Sequence, residues 1–112
     1  MWVDPRIGNF ENSNYVHYLK AVEGVNLYAT TSLSDALAVL IKQESDVEYR
    51  AITAGTGGED FVKKLRKNDI HCPVLVFCGN SDWHSKWAGK FNNVTVTVDP
   101  SRLYEFASWD RL

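Results

Sequence analysis

Reactive side chains stand at or near the ends of several short apolar segments of this sequence: Asp4, Thr53, Cys78 and Asp99. A carboxylate can bind a cation or move a proton, and a hydroxyl or thiol becomes a nucleophile once a neighbouring base activates it. The histidines, His17, His71 and His84, are scattered singly and match no zinc-site spacing with the cysteines. We therefore expect no metal and no cofactor, and we expect His17 and His84 to be surface residues.

A glycine-rich loop is a second candidate for chemistry: Gly55, Thr56, Gly57 and Gly58. Backbone N–H groups ahead of a helix can bind an anion, which makes the loop a candidate anion-binding site. A tight turn between a strand and a helix requires glycine equally well. The loop lacks the GxGxxG order and the GK[ST] ending of nucleotide-binding loops, so both explanations stay open.

Two alternating hydrophobic periodicities predict five strand–helix units that would position these groups. The predicted strands are Trp2-Val3, Val25 to Thr30, Tyr49 to Ala54, Pro73 to Cys78 and Val94 to Val98. The second and fifth alternate apolar with polar residues, which is typical of strands with one exposed face. The fourth is continuously apolar, which is typical of a central strand covered on both faces.

Capping residues mark where the first two helices begin. Asn12 or Ser13 is the predicted N-cap of the first helix, which ends at Gly24. Ser32 followed by Asp35 has the form of a capping box for the second helix. The apolar stripe predicted for that helix consists of Leu33, Leu37, Leu40 and Ile41.

The third and fifth helices are indicated by sharper signals than the fourth. The third helix places Phe61, Val62 and Leu65 inside and turns basic residues towards solvent. Those basic residues are Lys63, Lys64, Arg66 and Lys67. Residues 81–90 form a short fourth helix, and Asp99 with Pro100 begins the fifth as N-cap and N1.

Five such units within 112 residues predict an α/β fold of flavodoxin-like (βα)5 type. Right-handed crossovers favour a three-layer sandwich with a parallel five-stranded sheet in the order 2-1-3-4-5. In such sheets a ligand or active site lies beyond the carboxyl ends of the strands, where the order switches between the first and third. The reactive side chains named above are expected near this edge.

The layout resembles the receiver domain of two-component response regulators, and three short motifs carry the resemblance. Trp2-Val3-Asp4-Pro5 is similar to the receiver start with its tandem acids. Pro73 to Gly79 is similar to the fourth strand of receivers, which ends in a hydroxyl residue. Val98-Asp99-Pro100 is similar to the Lys-Pro ending of their fifth strand. The resemblance covers nearly the whole chain and implies one receiver-like domain over residues 1–112, which we expect to be excised from a larger multidomain protein.

The same resemblance implies that the magnesium site of receivers is degenerate here. Receivers bind Mg²⁺ with an acid pair and the phosphoacceptor aspartate. Asp4 matches the first acid of the pair, but Pro5 stands where the second should be. One carboxylate at most would face the cation, so we expect no Mg²⁺ binding.

The groups that receivers use to accept a phosphoryl group are replaced as well. Ala54, or Thr53 if the register is shifted by one residue, occupies the acceptor position. Cys78 takes the place of the hydroxyl residue, and Asp99 replaces the lysine that would stabilise transferred phosphate. The resemblance is therefore to a pseudo-receiver that has the scaffold without the phosphotransfer chemistry.

Large aromatic residues are concentrated in the last third of the sequence: Trp83, Trp87, Phe91, Tyr104, Phe106 and Trp109. Receivers commonly dimerise or dock an output partner through the fourth helix, fifth strand and fifth helix. We expect this face, centred on Trp83, Trp87 and Tyr104, to bind a protein partner or a second copy of the chain. The competing interpretation is that these rings pack inward against the fifth strand.

Composition excludes several classes of partner. A formal net charge of -2 provides no field that would attract nucleic acid or anionic lipid. The longest apolar run, Val74 to Cys78, is far too short to span a membrane. Cys72 and Cys78 are poorly placed to form a disulfide across one strand, so we expect a reduced, cytoplasmic compartment.

We therefore expect a non-catalytic signalling and interaction module and no enzyme. The alternative is a flavodoxin-like enzyme domain that binds a small ligand or nucleotide at the loop of residues 55–58, together with Asp4 and Asp99. An enzyme would need a convincing base or nucleophile at that loop, where the sequence offers only carboxylates, Thr53 and Cys78.

Overall fold

Strands and helices alternate strictly along the chain in the computed structural model, which describes residues 1–22, 26–42 and 49–107. The strands are β1 (Trp2–Val3), β2 (Ala29–Thr30), β3 (Ala51–Ala54), β4 (Val74–Phe77) and β5 (Val94–Thr97). The helices are α1 (Phe10–Lys20), α2 (Leu33–Ile41), α3 (Gly58–Lys67), α4 (Ser81–Ala88) and α5 (Ser101–Ala107). Gly24, Val25 and Trp109 were assigned roles from the sequence but lie outside the described residues.

All strand pairs are parallel, and the sheet order is β2-β1-β3-β4-β5, which confirms the predicted flavodoxin-like arrangement. Ala54 pairs with Phe77, and Phe77 pairs with Thr97, so the carboxyl ends of β3, β4 and β5 are level. β2 and β5 form the edges, as expected from their alternating sequences.

Two apolar layers lie on opposite faces of the sheet because successive strand residues point to opposite sides. Val74 and Val76 pack with residues of α2, α3 and α4, whereas Leu75 packs with Leu19 of α1 and Leu103 of α5. The two residues of β1 also point to opposite faces. Val3 packs in the layer of α2, α3 and α4, and the fully buried Trp2 packs in the layer of α1 and α5. The sheet is therefore the middle layer of the predicted sandwich.

The predicted start of α2 is confirmed, whereas that of α1 is wrong. Ser32 Oγ accepts a hydrogen bond from Asp35 N at 3.2 Å. The N-cap of α1 is Asn9, whose Oδ1 accepts from Asn12 N at 2.8 Å. Asn12 lies inside the helix and donates from Nδ2 to Arg6 O at 3.0 Å, because an asparagine in the first turn can reach the preceding loop.

β2 is shorter than the segment Val25 to Thr30, since its partner β1 offers only two residues to pair with. In α2, Ile41 is exposed and does not continue the apolar stripe, because the helix ends there. In α3, Phe61, Val62 and Leu65 are buried as predicted.

The sequence predicted that Arg66 faces solvent, but its guanidinium is bonded to backbone carbonyls instead. Its Nη1 donates to Ile70 O at 2.8 Å and to Cys72 O at 3.2 Å. Its Nη2 donates to Asn92 O at 2.7 Å. The guanidinium lies before the amino ends of β4 and β5, where three backbone carbonyls converge. Among the described residues, no helix combines the length and apolar character needed to cross a membrane.

Candidate functional site

A cleft of about 580 Å³ opens at the carboxyl edge of the sheet, and we call it the switch-point cleft. It is lined by Asp4 after β1, by Ala54 and Gly55 at the end of β3, and by Cys78 after β4. This is the edge at which parallel α/β sheets bind their ligands. The volume falls within the range that is typical of small-molecule sites.

Asp4 is the most deeply placed charged group of the cleft, with only 6% of its surface exposed. Its Oδ1 accepts a hydrogen bond from Arg6 N at 2.8 Å, which fixes the loop after β1. Within residues 1–22, 26–42 and 49–107, Oδ2 has neither a hydrogen bond nor an ion pair. The carboxylate therefore has one oxygen to offer to a bound molecule.

His84 has a hydrogen-bond partner and lines the cleft, so the expectation of an isolated surface histidine is wrong. Trp87 Nε1 donates to His84 Nδ1 at 3.0 Å, and the two rings meet edge to face. An indole N–H can only donate, so Nδ1 accepts and the neutral imidazole has its proton on Nε2.

The His84 ring lies directly over Gly55, where a Cβ would overlap its Nε2 atom. Glycine is therefore required at position 55 for close approach and not for an unusual backbone angle. The spacing of His84 and Trp87, three residues apart on a helix, was the sequence signal for their contact. The sequence did not show which face of the helix turns towards the sheet.

The glycines of the candidate anion-binding loop have structural tasks. Gly57 has φ of 78° and is the N-cap of α3, so it occupies the left-handed region. Gly58 N donates to Gly55 O at 3.1 Å, which removes that N–H from any nest for an anion. A Cβ on Gly58 would lie 3.3 Å from both Thr53 Cγ2 and Trp87 Cζ2. Of this loop, Gly55 and Thr56 line the cleft.

β3 presents Ala54, and not Thr53, to the cleft. Thr53 is 1% exposed, and its hydroxyl donates to Ala54 O at 3.2 Å. A side chain that is sealed in this way has no access to a substrate. The carboxyl end of β3 therefore presents a methyl group, and no nucleophile, to the cleft.

Cys78 lines the cleft, and its Sγ makes a weak contact of 3.8 Å with Thr97 O. Burial raises the pKa of the Cys78 thiol, while a hydrogen bond from the Asn80 backbone acts in the opposite direction. The thiolate is the nucleophilic form of cysteine, so a raised pKa makes this a poor nucleophile at neutral pH.

Asp99 caps α5 and does not line the cleft. Its Oδ1 accepts from Ser101 N at 3.0 Å, as the predicted cap requires. Hydrogen bonds from the Ser101 backbone and side chain lower the pKa of the Asp99 carboxyl. Pro100 and Val98, which flank it, do line the cleft. Pro5, which the resemblance predicts to replace the second receiver acid, also lines it.

Of the three aromatic rings predicted to form an interaction surface, one is largely exposed to solvent. Trp83 on α4 is 63% exposed. Trp87 is 7% exposed and belongs to the core, because the lack of a side chain on Gly58 makes room for its indole. Tyr104 is half-buried in the layer of α1 and α5, and burial, followed by the charges of Tyr15 and Tyr18, raises its pKa.

Several cleft residues were not singled out from the sequence as site residues: Arg6, Asn9, Glu11, Asn12, Tyr15, Phe77 and His84. Most belong to the β1–α1 loop and the first turns of α1, and only the folded chain brings that segment against β3 and β4. Within the described ranges, no group of three or more His, Cys, Asp or Glu residues is placed to hold a metal ion. Comparison with family models, curated proteins and solved structures finds no significant match.

Proposed function

We propose that this chain is a non-catalytic interaction module of pseudo-receiver type. The absence of catalytic groups is proposed from the four strand ends. Pro5 and Ala54 line the cleft without a functional group, and Asp99 is occupied as a helix cap. The raised pKa of Cys78 holds its thiol in the protonated form. With no activated nucleophile among these positions, binding is the better supported role.

The exposed Trp83 is the single observation on which the interaction role rests. Tryptophan is the side chain most enriched at interface hot spots, and leaving it in water forgoes the free energy of its burial. Lys86 Nζ lies 5.8 Å from the centre of the Trp83 ring, and Val98 after β5 is also exposed. A ring with a cation above it and exposed apolar residues on the same edge of the sheet is a suitable contact point.

A second copy of the chain is the occupant that the charge pattern of α4 favours. Asp82 and Lys86 flank Trp83 and are one helical turn apart. If two α4 helices pack antiparallel about a two-fold axis level with residue 84, Asp82 of each copy faces Lys86 of the other. The patch is therefore self-complementary in charge.

Sedimentation equilibrium of the wild-type chain and of Trp83→Ala tests this role. We expect the wild type to form a dimer and the variant to dissociate more easily by at least tenfold. At a concentration where both chains are monomeric, we expect their melting temperatures to be equal. Tyr18→Ala is the matched control, because Tyr18 on α1 is 61% exposed and Trp83 63%. A wild type that stays monomeric, or a Trp83→Ala dimer as tight as that of the wild type, would contradict self-association through α4.

Ligand binding is the second candidate function, and the switch-point cleft is the observation that favours it. The candidate loop of residues 55–58 contributes Gly55 and Thr56 to the cleft, and the Gly58 N–H is already bonded within the turn. The loop therefore lacks this N–H donor for a nucleotide phosphate. The side chains around Asp4 are a better indication of the chemistry of a ligand.

A further inference from the structure

We propose that the switch-point cleft binds a small organic amine, whose ammonium group pairs with Asp4 and whose oxygen acceptor receives the Nε2–H of His84. This site does not include Trp83, the residue on which the proposed self-association rests, although Val98 borders both surfaces. The proposal rests on four features of the cleft: a largely buried aspartate with one unpaired oxygen, an oriented donor, the charge of the lining and its apolar walls.

The Asp4 carboxylate is built into the site and incompletely paired. It is 6% exposed, and its single hydrogen bond, from Arg6 N, leaves Oδ2 without a partner among the described residues. The unpaired oxygen belongs to a residue that is largely buried but opens on the cleft, so a bound N–H donor can take the place of solvent there. An ammonium group provides both the donor and the compensating charge.

His84 provides a donor whose direction is set by the fold. Trp87 Nε1 occupies the lone pair of Nδ1, so the neutral ring presents Nε2–H above Gly55 at the end of β3. The indole of Trp87 lies in the core, where it fills the space left by the missing side chain of Gly58. A ligand that meets this N–H must have an acceptor, such as a carbonyl oxygen.

The charges of the lining favour a cation over an anion. Asp4 and Glu11 are acidic and Arg6 is basic, which leaves the lining with one excess negative charge when His84 is neutral. Phosphate-bearing ligands would be repelled by this balance. A divalent metal is also poorly served, because Asp4 and Glu11 provide too few oxygen ligands for Mg²⁺ or Ca²⁺.

The walls of the cleft accept an apolar body on the same ligand. Tyr15 and Phe77 line it as an edge-to-face pair with centroids 5.9 Å apart, and Val98 and Pro100 extend the apolar surface. Aromatic walls stabilise both a flat apolar group and a nearby cation. The ligand class is therefore a small amine with a carbonyl group and an apolar or aromatic substituent.

An NMR titration of the full chain with phenylalaninamide tests the site, because this probe has an ammonium, a carbonyl and a phenyl group. Saturable shifts are expected at the amides around Asp4, Gly55 and Cys78. 3-Phenylpropanamide lacks the ammonium, and phenethylamine lacks the carbonyl. We expect each to bind less tightly than phenylalaninamide, and the loss of the ammonium to weaken binding by about tenfold or more. 3-Phenylpropanoate is the anionic comparison.

Two variants connect the binding to the named residues. Asp4→Asn is expected to weaken phenylalaninamide about tenfold while leaving 3-phenylpropanamide unchanged, and Glu59→Gln on α3 is the matched control away from the cleft. Gly55→Ala is expected to weaken both carbonyl probes, because its Cβ displaces the His84 ring. It provides a second test if Asp4→Asn fails to fold. Tighter binding of 3-phenylpropanoate, or no saturable shifts with phenylalaninamide, would overturn the proposal.

Discussion

Arg66 Nη2 lies 2.7 Å from the carbonyl oxygen of Asn92, so one side chain of α3 holds the turn that leads into β5. The other terminal nitrogen of the same guanidinium holds the backbone that leads into β4, at Ile70 and Cys72. The end of α3, the backbone before β4 and the turn before β5 are thereby fixed together at the amino edge of the sheet. The rigid fork of arginine is suited to several fixed carbonyls at once.

Replacing Arg66 by Ala is expected to lower the free energy of unfolding by about 1 to 3 kcal/mol, because the carbonyls of Ile70, Cys72 and Asn92 lose a charged donor. Arg66→Lys should fall between wild type and Ala, since an ammonium cannot reproduce the fork. Urea denaturation measures the difference. The control is Lys63→Ala, whose exposed pair with Glu59 is worth less than about 1 kcal/mol. Equal stability of Arg66→Ala and Lys63→Ala would contradict the role given to Arg66.

Gly57→Ala is expected to destabilise the fold by about 1 to 2 kcal/mol, because a Cβ is disfavoured in the left-handed conformation at φ of 78°. Thermal and urea unfolding measure the change. Gly79→Ala is the control, since a Cβ at that position meets nothing within 4 Å. If both variants lose the same stability, the backbone angle is not what requires glycine at position 57.

Acetyl phosphate with Mg²⁺ is expected to leave the mass of the chain unchanged, because Ala54 offers no carboxylate and Pro5 no second metal ligand. Intact mass spectrometry gives the result. Ala54→Asp alone should not restore phosphorylation, and it should lower stability, since crowded carboxylates cost about 1.4 kcal/mol per unit of raised pKa. A phosphoryl adduct on the wild-type chain that disappears when Thr53 or Asp4 is changed would refute the non-catalytic assignment.

Both thiols are expected to react slowly with iodoacetamide at pH 7 and faster as the pH rises, because burial raises the pKa of Cys72 and of Cys78. Cys78 should be alkylated first, since it is half-buried and Cys72 is buried. Site-resolved mass spectrometry follows each thiol. Cys72 reacting as fast as a free cysteine would contradict its burial.

The raised pKa of Cys72 also fixes the sign of a stability change. The unfolded chain releases the thiol proton at lower pH than the folded chain, so stability falls as the pH rises above the ordinary value of 9.0. Comparing unfolding of the wild type and Cys72→Ala above and below this pH isolates the contribution. A loss of stability that is the same in both chains would assign it to other groups.

The sheet order could be predicted from the sequence because periodicity and crossover handedness leave few alternatives for five strand–helix units. Ser32 with Asp35 was equally readable, since a cap and its partner are three residues apart. Asn9 was missed as the cap of α1 because Asn12, a residue of the same type, stands one turn further on. Local signals of this kind locate an element and leave its boundary uncertain by a few residues.

The site was less predictable because its residues come from separate loops. Asp4, Ala54 and Cys78 were placed at the correct edge by strand position alone. His84 was taken for a surface residue, since nothing local to its sequence indicates that its ring covers Gly55. Trp87 was taken for a surface residue because exposure of a helix face depends on what lies opposite it, here the bare Cα of Gly58.

The position of β1 inside the sheet has a consequence for the order of events during synthesis on the ribosome. Trp2 is fully buried, and its partner on β3 is Ile52. About 50 further residues must be translated before that partner exists, which takes roughly 3 to 10 s at ordinary elongation rates. During this interval the Trp2 indole has no β3 to pack against. The central pairing of the sheet therefore forms only after β3 has been synthesised.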